Sequence, residues 1–472
     1  MSETAGSETP KYQDDLYAEA AHWHVNTGDE KIHAKRVKGR WRRLKWLTHS
    51  VWLIFFFGPY LRWNGRQAVL FDIPNRQFHI FDITVLPQDV WMLALVLLFF
   101  AMLLAAVTSI AGRVYCGFFC FQTAWTDVFT WLEEKIEGPP AKRRKLEEGP
   151  WTGEKIRKLG LKWFLWLVIS VLTGISFVAW FTDAYQLWHD FFTGQASSVA
   201  YGVVALFTVG TFVLAGKLRE QTCFWLCPYA RIQGVMYDKE TILPTYDFNR
   251  GEPRGRLKKG KVPEGQGDCI DCKQCVAVCP TGIDIRNGQQ EGCITCALCI
   301  DACDAVMEKI GKPKGLIRYA SLDEMEGKKQ LPLYRRPRPL IYISILTLSL
   351  LGIGYGLTHL GTIELKVLHD RAPLFVQLSD GSIQNKYRLK ILNKSDKDFH
   401  VKVTASGIPG LELKGADEPL YARKGGDTSY TVYLKAPQES LKSERTPVVF
   451  KAQGIENPEM VATYESMFFA PK

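Results

Sequence analysis

The sequence predicts a multidomain membrane protein with about five transmembrane helices, a cysteine-rich insert between the last two, and a C-terminal immunoglobulin-like β-sandwich. Three observations predict it. Five apolar blocks alternate with charged stretches along the 472 residues. Eight of the twelve cysteines fall in two runs of identical spacing. From Ile363 onward the hydrophobic pattern changes to a period of two.

Residues 1–30 are polar and acidic and lack the short apolar core of a signal peptide. They read as a disordered N-terminus left in the cytoplasm. The apolar blocks approach the ~20 residues that cross a bilayer as helix. They lie near Trp46–Trp63, Val90–Gly112, Leu161–Phe181, Val199–Gly216 and Leu340–Thr358. Gly58-Pro59 interrupts the first and Arg62 closes it, so a tilted or re-entrant segment is the alternative there.

Basic residues give the orientation. Eight fall in residues 31–45, three in 62–88, eight in 133–160 and none in 183–198. The segment after Gly216 is basic again and ends in Arg335-Arg336-Pro337-Arg338. This alternation places the N-terminus and the cysteine-rich insert on the cytoplasmic side and the C-terminal tail outside. All twelve cysteines then share the cytoplasmic side. The net charge of +10 sits beside the apolar blocks, as at a negatively charged inner membrane face. No aromatic-and-basic motif for nucleic acid is present.

The domains read as membrane helices one to four in 31–222, a cytoplasmic segment in 223–338, a fifth helix in 339–360 and an outer domain in 361–472. The membrane part repeats. Ala111-Gly112-Arg113 leads to Cys116-x3-Cys120, and Ala215-Gly216-Lys217 leads to Cys223-x3-Cys227. On a helix, positions i and i+4 share a face, so each pair can aim at one ligand. Such pairs can bind copper, exchange disulfides or relay electrons, since thiolates are soft donors that favour Cu(I). They can equally be small apolar residues packed at helix ends.

Residues 269–280 read CIDCKQCVAVCP and residues 293–303 read CITCALCIDAC. Both follow C-x2-C-x2-C-x3-C, the bacterial ferredoxin pattern in which the fourth cysteine of each run ligates the other cluster. Cys269, Cys272, Cys275 and Cys303 are assigned to one [4Fe-4S] cluster. Cys279, Cys293, Cys296 and Cys299 are assigned to the second. The ferredoxin domain therefore occupies about 260–310. Asp304 stands where a second proline would match Pro280. Zinc, with four ligands per ion in longer-spaced knuckles, is the competing reading. His22-x-His24 and the histidines near the spans (His49, His79, His189 and His359) read as interfacial polar residues before metal ligands.

In the tail, Lys386–Leu392, Phe399–Val403, Ser429–Leu434, Val448–Lys451 and Met460–Met467 read as strands. Turns are expected at 393–396, 407–410 and 425–427. Short alternating strands over about a hundred residues suggest the sandwich.

Taken together, the run CPTGIDIRNGQQEGCITCALCIDAC, both C-x3-C motifs, the basic KRVKGRWRRLKW and the strand-rich tail resemble the cytochrome c oxidase accessory protein family, the FixG-like or CcoG membrane polyferredoxins. The resemblance covers nearly the whole chain after the first thirty residues. It implies a role in assembling the cbb3-type oxidase, with Cu(II) as substrate reduced to Cu(I) on the cytoplasmic side of a bacterial inner membrane. The implied partners are a cytoplasmic electron donor, a copper-exporting ATPase and the oxidase subunits, and the implied place of the tail is the periplasm. Cys223 and Cys227, followed by Pro228, keep the family's C-x3-C-P form and are the first choice for the copper site. Cys116 and Cys120 are the second, because Phe121 stands where the family often has proline. Two other readings stay open: a quinol-linked electron relay, and a non-redox scaffold that grips oxidase subunits.

Overall fold

The computed structural model describes residues 32–471 apart from 33, 75, 82, 86–89, 258–262, 360–362, 371, 396 and 442. The expected N-terminal disorder and the His22-x-His24 pair lie outside the described residues. The chain forms two compact units. One takes residues up to Gly58 together with Val96–Ala179 and Tyr185–Leu350, and holds all twelve cysteines. The other takes Pro59–Leu95, Trp180–Ala184 and Leu351–Lys472.

Among the described residues, four helices are long and apolar enough to cross a membrane: Val90–Ala111, Gly153–Val178, Ser198–Leu218 and Pro337–Thr358. They match the last four predicted blocks. Their exposed apolar faces, such as Leu97, Phe164, Leu206 and Leu351, suit a lipid solvent. The first predicted block is instead a succession of short pieces: an α-helix over Arg40–His49, a 3-10 turn at Ser50–Trp52, a helix at Leu53–Phe57 and a further turn at Gly58–Tyr60. Pro59 removes a backbone donor there. Helices Gly153–Val178 and Ser198–Thr211 pack side by side, with Phe177 stacked on Phe207 at 3.9 Å. Past Thr211 the latter widens into π-helical turns at Phe212–Leu218 and Thr222–Leu226, a form common at functional sites.

In the first unit, buried charges hold the Phe121–Glu137 helix. Asp127 meets Arg36, Arg42 and Lys45, and Glu133 meets Arg143, Lys162 and Arg219. The basic stretch before the first block is therefore more than a membrane-facing charge run. It folds inward, and it also docks on the insert, where the Asp301 carboxylate accepts the N–H of Trp41 and of Arg42.

The second unit contains the sandwich. One sheet has the order Glu412–Lys414, Gly426–Ala436, Ile383–Asn393, Ile363–His369, with Val376–Gln377 paired to Ile383–Asn393. The other has the order Leu420–Ala422, Phe399–Ser406, Arg445–Gly454, Val461–Phe469. All pairings are antiparallel. Period two sets the core: Ile383, Tyr387, Leu389 and Ile391 point inward from one strand and meet Val401, Phe450 and Phe468. Each predicted strand is present and most are longer than expected. The same unit holds a three-stranded meander, Val69–Asp72, Gln77–Ile80 and Ile83–Val85.

Candidate functional site

The two ferredoxin runs fold into loops of the same shape. Cys269 and Cys272 lie on a loop that enters a short helix at Gln274–Ala277, which carries Cys275. Cys293 and Cys296 lie on a second loop that enters Leu298–Lys309, which carries Cys299 and Cys303. In each loop the residues either side of the middle cysteine have positive φ: Asp271 and Lys273 at 52°, Thr295 at 52° and Ala297 at 60°. None is glycine, so each conformation is strained and needs the surroundings to impose it. Such reversals turn successive N–H groups inward, as in the nests that hold anionic clusters. The Thr295 N–H lies 3.4 Å from Cys293 Sγ, and the Thr281 hydroxyl lies 3.3 Å from Cys279 Sγ.

The apolar surroundings are Ile270, Val276, Ile285, Val306, Met307 and Ile317. A strand pair not foreseen from the sequence, Leu243–Tyr246 with Ile317–Ala320, closes this core. Burial pushes the free thiols up, Cys272 to about 11 and Cys293 to about 12, with Cys275, Cys279, Cys299 and Cys303 also raised. Thiolates here need positive charge beside them, which iron supplies. A fixed cation helps: buried Arg286, bonded to Asp284 and Asp271, lies in the field of Cys275.

The donor set fits two [4Fe-4S] clusters. The repeated C-x2-C-x2-C-x3-C spacing is that of ferredoxins rather than of zinc's longer-spaced knuckles. The repeated loops, the inward N–H groups and the all-sulfur donors are those of ferredoxin clusters.

The C-x3-C pairs differ from expectation in two ways. Neither pair rides on one helix. Cys116 lies in a short helix at Val114–Phe118, whereas Cys120 is extended (φ −62°, ψ 129°) and caps the start of Phe121–Glu137. Cys223 lies in a π-helical turn, and Cys227 is extended (φ −83°, ψ 107°) and caps the start of Pro228–Gly234. The helix breaks between the two cysteines of each pair. Second, the pairs come together. Cys223 lies in the electrostatic field of Cys120, Cys116 and Cys227, and Cys116 in that of Cys120 and Cys227. Burial pushes Cys223 up to about 12 and Cys116 to about 11.

Both motifs stand against the second cluster loop. A Cβ at Gly117 would lie 2.5 Å from the Ile294 carbonyl and 3.0 Å from Cys296 Cα, so only glycine allows this approach. From the other motif, Phe224 closes on Gly292, where a Cβ would lie 2.6 Å from its ring. Cys116 and Cys296 share one apolar cluster with Val278, Ile294 and Leu298.

Two residues that sequence reasoning missed organise the contact. Buried Arg113 donates to the Glu291 carbonyl and to Gln233 Oε1 at 3.2 Å, beside Cys116, Cys223 and Cys293. Gln233 Oε1 also accepts from Cys116 Sγ at 3.2 Å, while its amide nitrogen donates to Thr108. The signal for Arg113 was its place after the repeated Ala-Gly.

Comparison with known proteins matches this geometry. Residues 218–322 match a family described as a 4Fe-4S dicluster domain, and residues 93–139 match one described as a 4Fe-4S binding domain. Residues 353–471 match the IG-like fold at the C-terminus of FixG. The nitrogen fixation protein FixG of Rhizobium meliloti is 40% identical over 426 residues, 82% of this chain and 81% of that protein. The chain belongs to the FixG family. Protein RdxB of Cereibacter sphaeroides is 43% identical over 436 residues, 88% of this chain and 91% of its own length. The ferredoxin-type protein NapH of Haemophilus influenzae is 26% identical over 290 residues, 56% of this chain and 85% of that protein. A crystal structure of a FixG-related protein from Vibrio parahaemolyticus, 22% identical, covers 24% of this chain and 100% of its own, with a TM-score of 0.21. This FixG-like chain is thus a membrane iron–sulfur protein of electron transfer.

Proposed function

We propose that the chain serves assembly of a cbb3-type cytochrome c oxidase by reducing Cu(II) to Cu(I) at the cytoplasmic face of a bacterial inner membrane. The observation that carries this reading is the gathering of both C-x3-C pairs against the second cluster loop. When bound, the two clusters supply storage and transfer of one electron at a time. Cys269, Cys272, Cys275 and Cys303 hold one, and Cys279, Cys293, Cys296 and Cys299 hold the other.

The remaining work is done by the chain's own residues. Cys223 and Cys227, with Cys116 and Cys120 behind them, offer soft sulfur where copper is met. Soft donors stabilise Cu(I) over Cu(II), so they draw the one-electron reduction forward. Arg113 keeps positive charge among the thiols. Gly117 and Gly292 keep the motifs in contact with the cluster loop. Apolar helices bring the product beside a copper-exporting ATPase, the expected recipient. A cytoplasmic protein is the expected electron source, and the periplasmic sandwich offers a surface for oxidase subunits.

The test adds Cu(II) to dithionite-reduced protein freed of excess reductant and follows Cu(I) with a chromogenic chelator. About one Cu(I) per electron stored is expected. Oxidation of the protein by a quinone analogue alone, with Cu(II) left unreduced, overturns the copper reading in favour of a quinol-linked relay. Serine at Cys272 and Cys296 with normal oxidase copper loading favours the scaffold.

A further inference from the structure

Twelve cysteines lie in the first unit, and the two ferredoxin runs hold eight of them. The other four arrive from distant points of the sequence and reach one loop: Gly117, beside Cys116, packs on Ile294 and Cys296, and Phe224, beside Cys223, packs on Gly292. Each motif contributes them in the same way: one cysteine in a helical turn, the next extended at the N-cap of the following helix. The set is all sulfur. A buried cation, Arg113, stands beside it, suited to offset the charge of several thiolates.

The match at residues 93–139 raises a question of ligand number. Its description is of 4Fe-4S binding, yet the segment contains just two cysteines, Cys116 and Cys120. Two ligands do not complete a four-thiolate cluster. Cys223 and Cys227 supply the missing two, and the fold brings them there.

We propose that Cys116, Cys120, Cys223 and Cys227 are the ligands of one further iron–sulfur cluster, shared between the two C-x3-C loops and seated against the loop that carries Cys293 and Cys296. The pairs are then halves of one centre rather than two separate sites. This assignment replaces direct thiolate ligation of copper: with all four thiols on the cluster, Cu(II) takes its electron from the centre without a sulfur ligand from these residues. The assignment rests on the electron-transfer reading and is independent of which acceptor is used.

The experiment measures iron and acid-labile sulfide per chain, with low-temperature electron paramagnetic resonance, on full-length protein isolated without oxygen. Cys120→Ser and Cys227→Ser are the variants. Both replace an N-cap residue by serine, a favoured cap, so the helices behind them keep their starts. The unchanged ferredoxin signals report that the insert is folded. The proposal expects more iron than the roughly eight of two cubanes. Each variant should lose the same amount, about two to four irons, together with one paramagnetic signal. About eight irons in the parent overturn it, as does a variant that keeps the full iron content. Eight irons with one copper lost in both variants overturn it in favour of a copper thiolate site. Failure of copper reduction by protein with the extra iron leaves this centre standing and removes only the copper reading.

Discussion

The sandwich and the cysteine-bearing unit solve the problem of a folded core in opposite ways. The sandwich buries Ile383, Tyr387, Leu389, Ile391, Val432 and Phe450 at 0% exposure, and its main buried polar residues, Asn385 and Asn393, bond to backbone and neighbouring side chains. Apolar area removed from water holds it. The other unit buries Asp127, Glu133, Arg113, Arg219 and Lys45, along with Cys116, Cys269, Cys275 and Cys296. Its interior is stable only while charges find partners and thiols find metal. The difference teaches where fragility lies: the sandwich tolerates small repacking, while the redox unit fails when one partner of a charged or ligating set is removed.

The largest effect is expected from Cys296→Ser. The second loop loses a ligand while Thr295 and Ala297 keep strained backbone that metal binding compensates. Iron should fall by about four per chain and the spin coupling between clusters should vanish, with the sandwich unchanged by circular dichroism. Next is Asp127→Asn. Burial alone would raise this carboxyl's pKa, but Lys45, Arg42 and Arg36 outweigh it and hold it well below the usual carboxylate range. Because the folded value is depressed, the contribution is fully present above the unfolded value near ~4 and is lost as pH falls through the folded one. The variant leaves three buried cations short of their partner and should cost about 3–5 kcal/mol at neutral pH, read by thermal unfolding in detergent. That deficit should shrink on acidification.

How much of this was legible in the sequence depended on the reach of each interaction. Helices Val90–Ala111 and Pro337–His359 were legible because solvation by lipid is a property of composition. The first block was legible as apolar but not as one helix, since Gly58-Pro59 breaks it locally. Long strands such as Ile383–Asn393 follow from alternation, whereas Glu412–Lys414 and Leu420–Ala422 are too short to show a period. Leu243–Tyr246 was hidden by Pro244, which is tolerated because a two-stranded ribbon is all edge. The two C-x2-C-x2-C-x3-C runs were legible from spacing, and the match to a 4Fe-4S dicluster domain covers both. The meeting of Cys116 and Cys120 with Cys223 and Cys227, and the placing of Arg113 among them, were not, because these contacts join residues more than a hundred positions apart.

A smaller effect is expected from Arg113→Gln. Removing a buried cation beside Cys116, Cys223 and Cys293 should lower the reduction potential of the neighbouring centre, read by redox titration with iron content unchanged. The smallest comes from Ile391→Val in the sandwich. Ile391 is fully buried, so loss of one methylene should cost about 1 kcal/mol and leave every cluster signal as it was. A cluster change in this variant would mean the two kinds of core are not independent.

One measurement bears most directly on the whole account: low-temperature paramagnetic resonance of oxygen-free, dithionite-reduced protein, with its metals counted. Brown protein carrying at least about eight irons, and reduced signals split by neighbouring spins, is the expected result. Colourless protein filled with zinc and silent on reduction contradicts it.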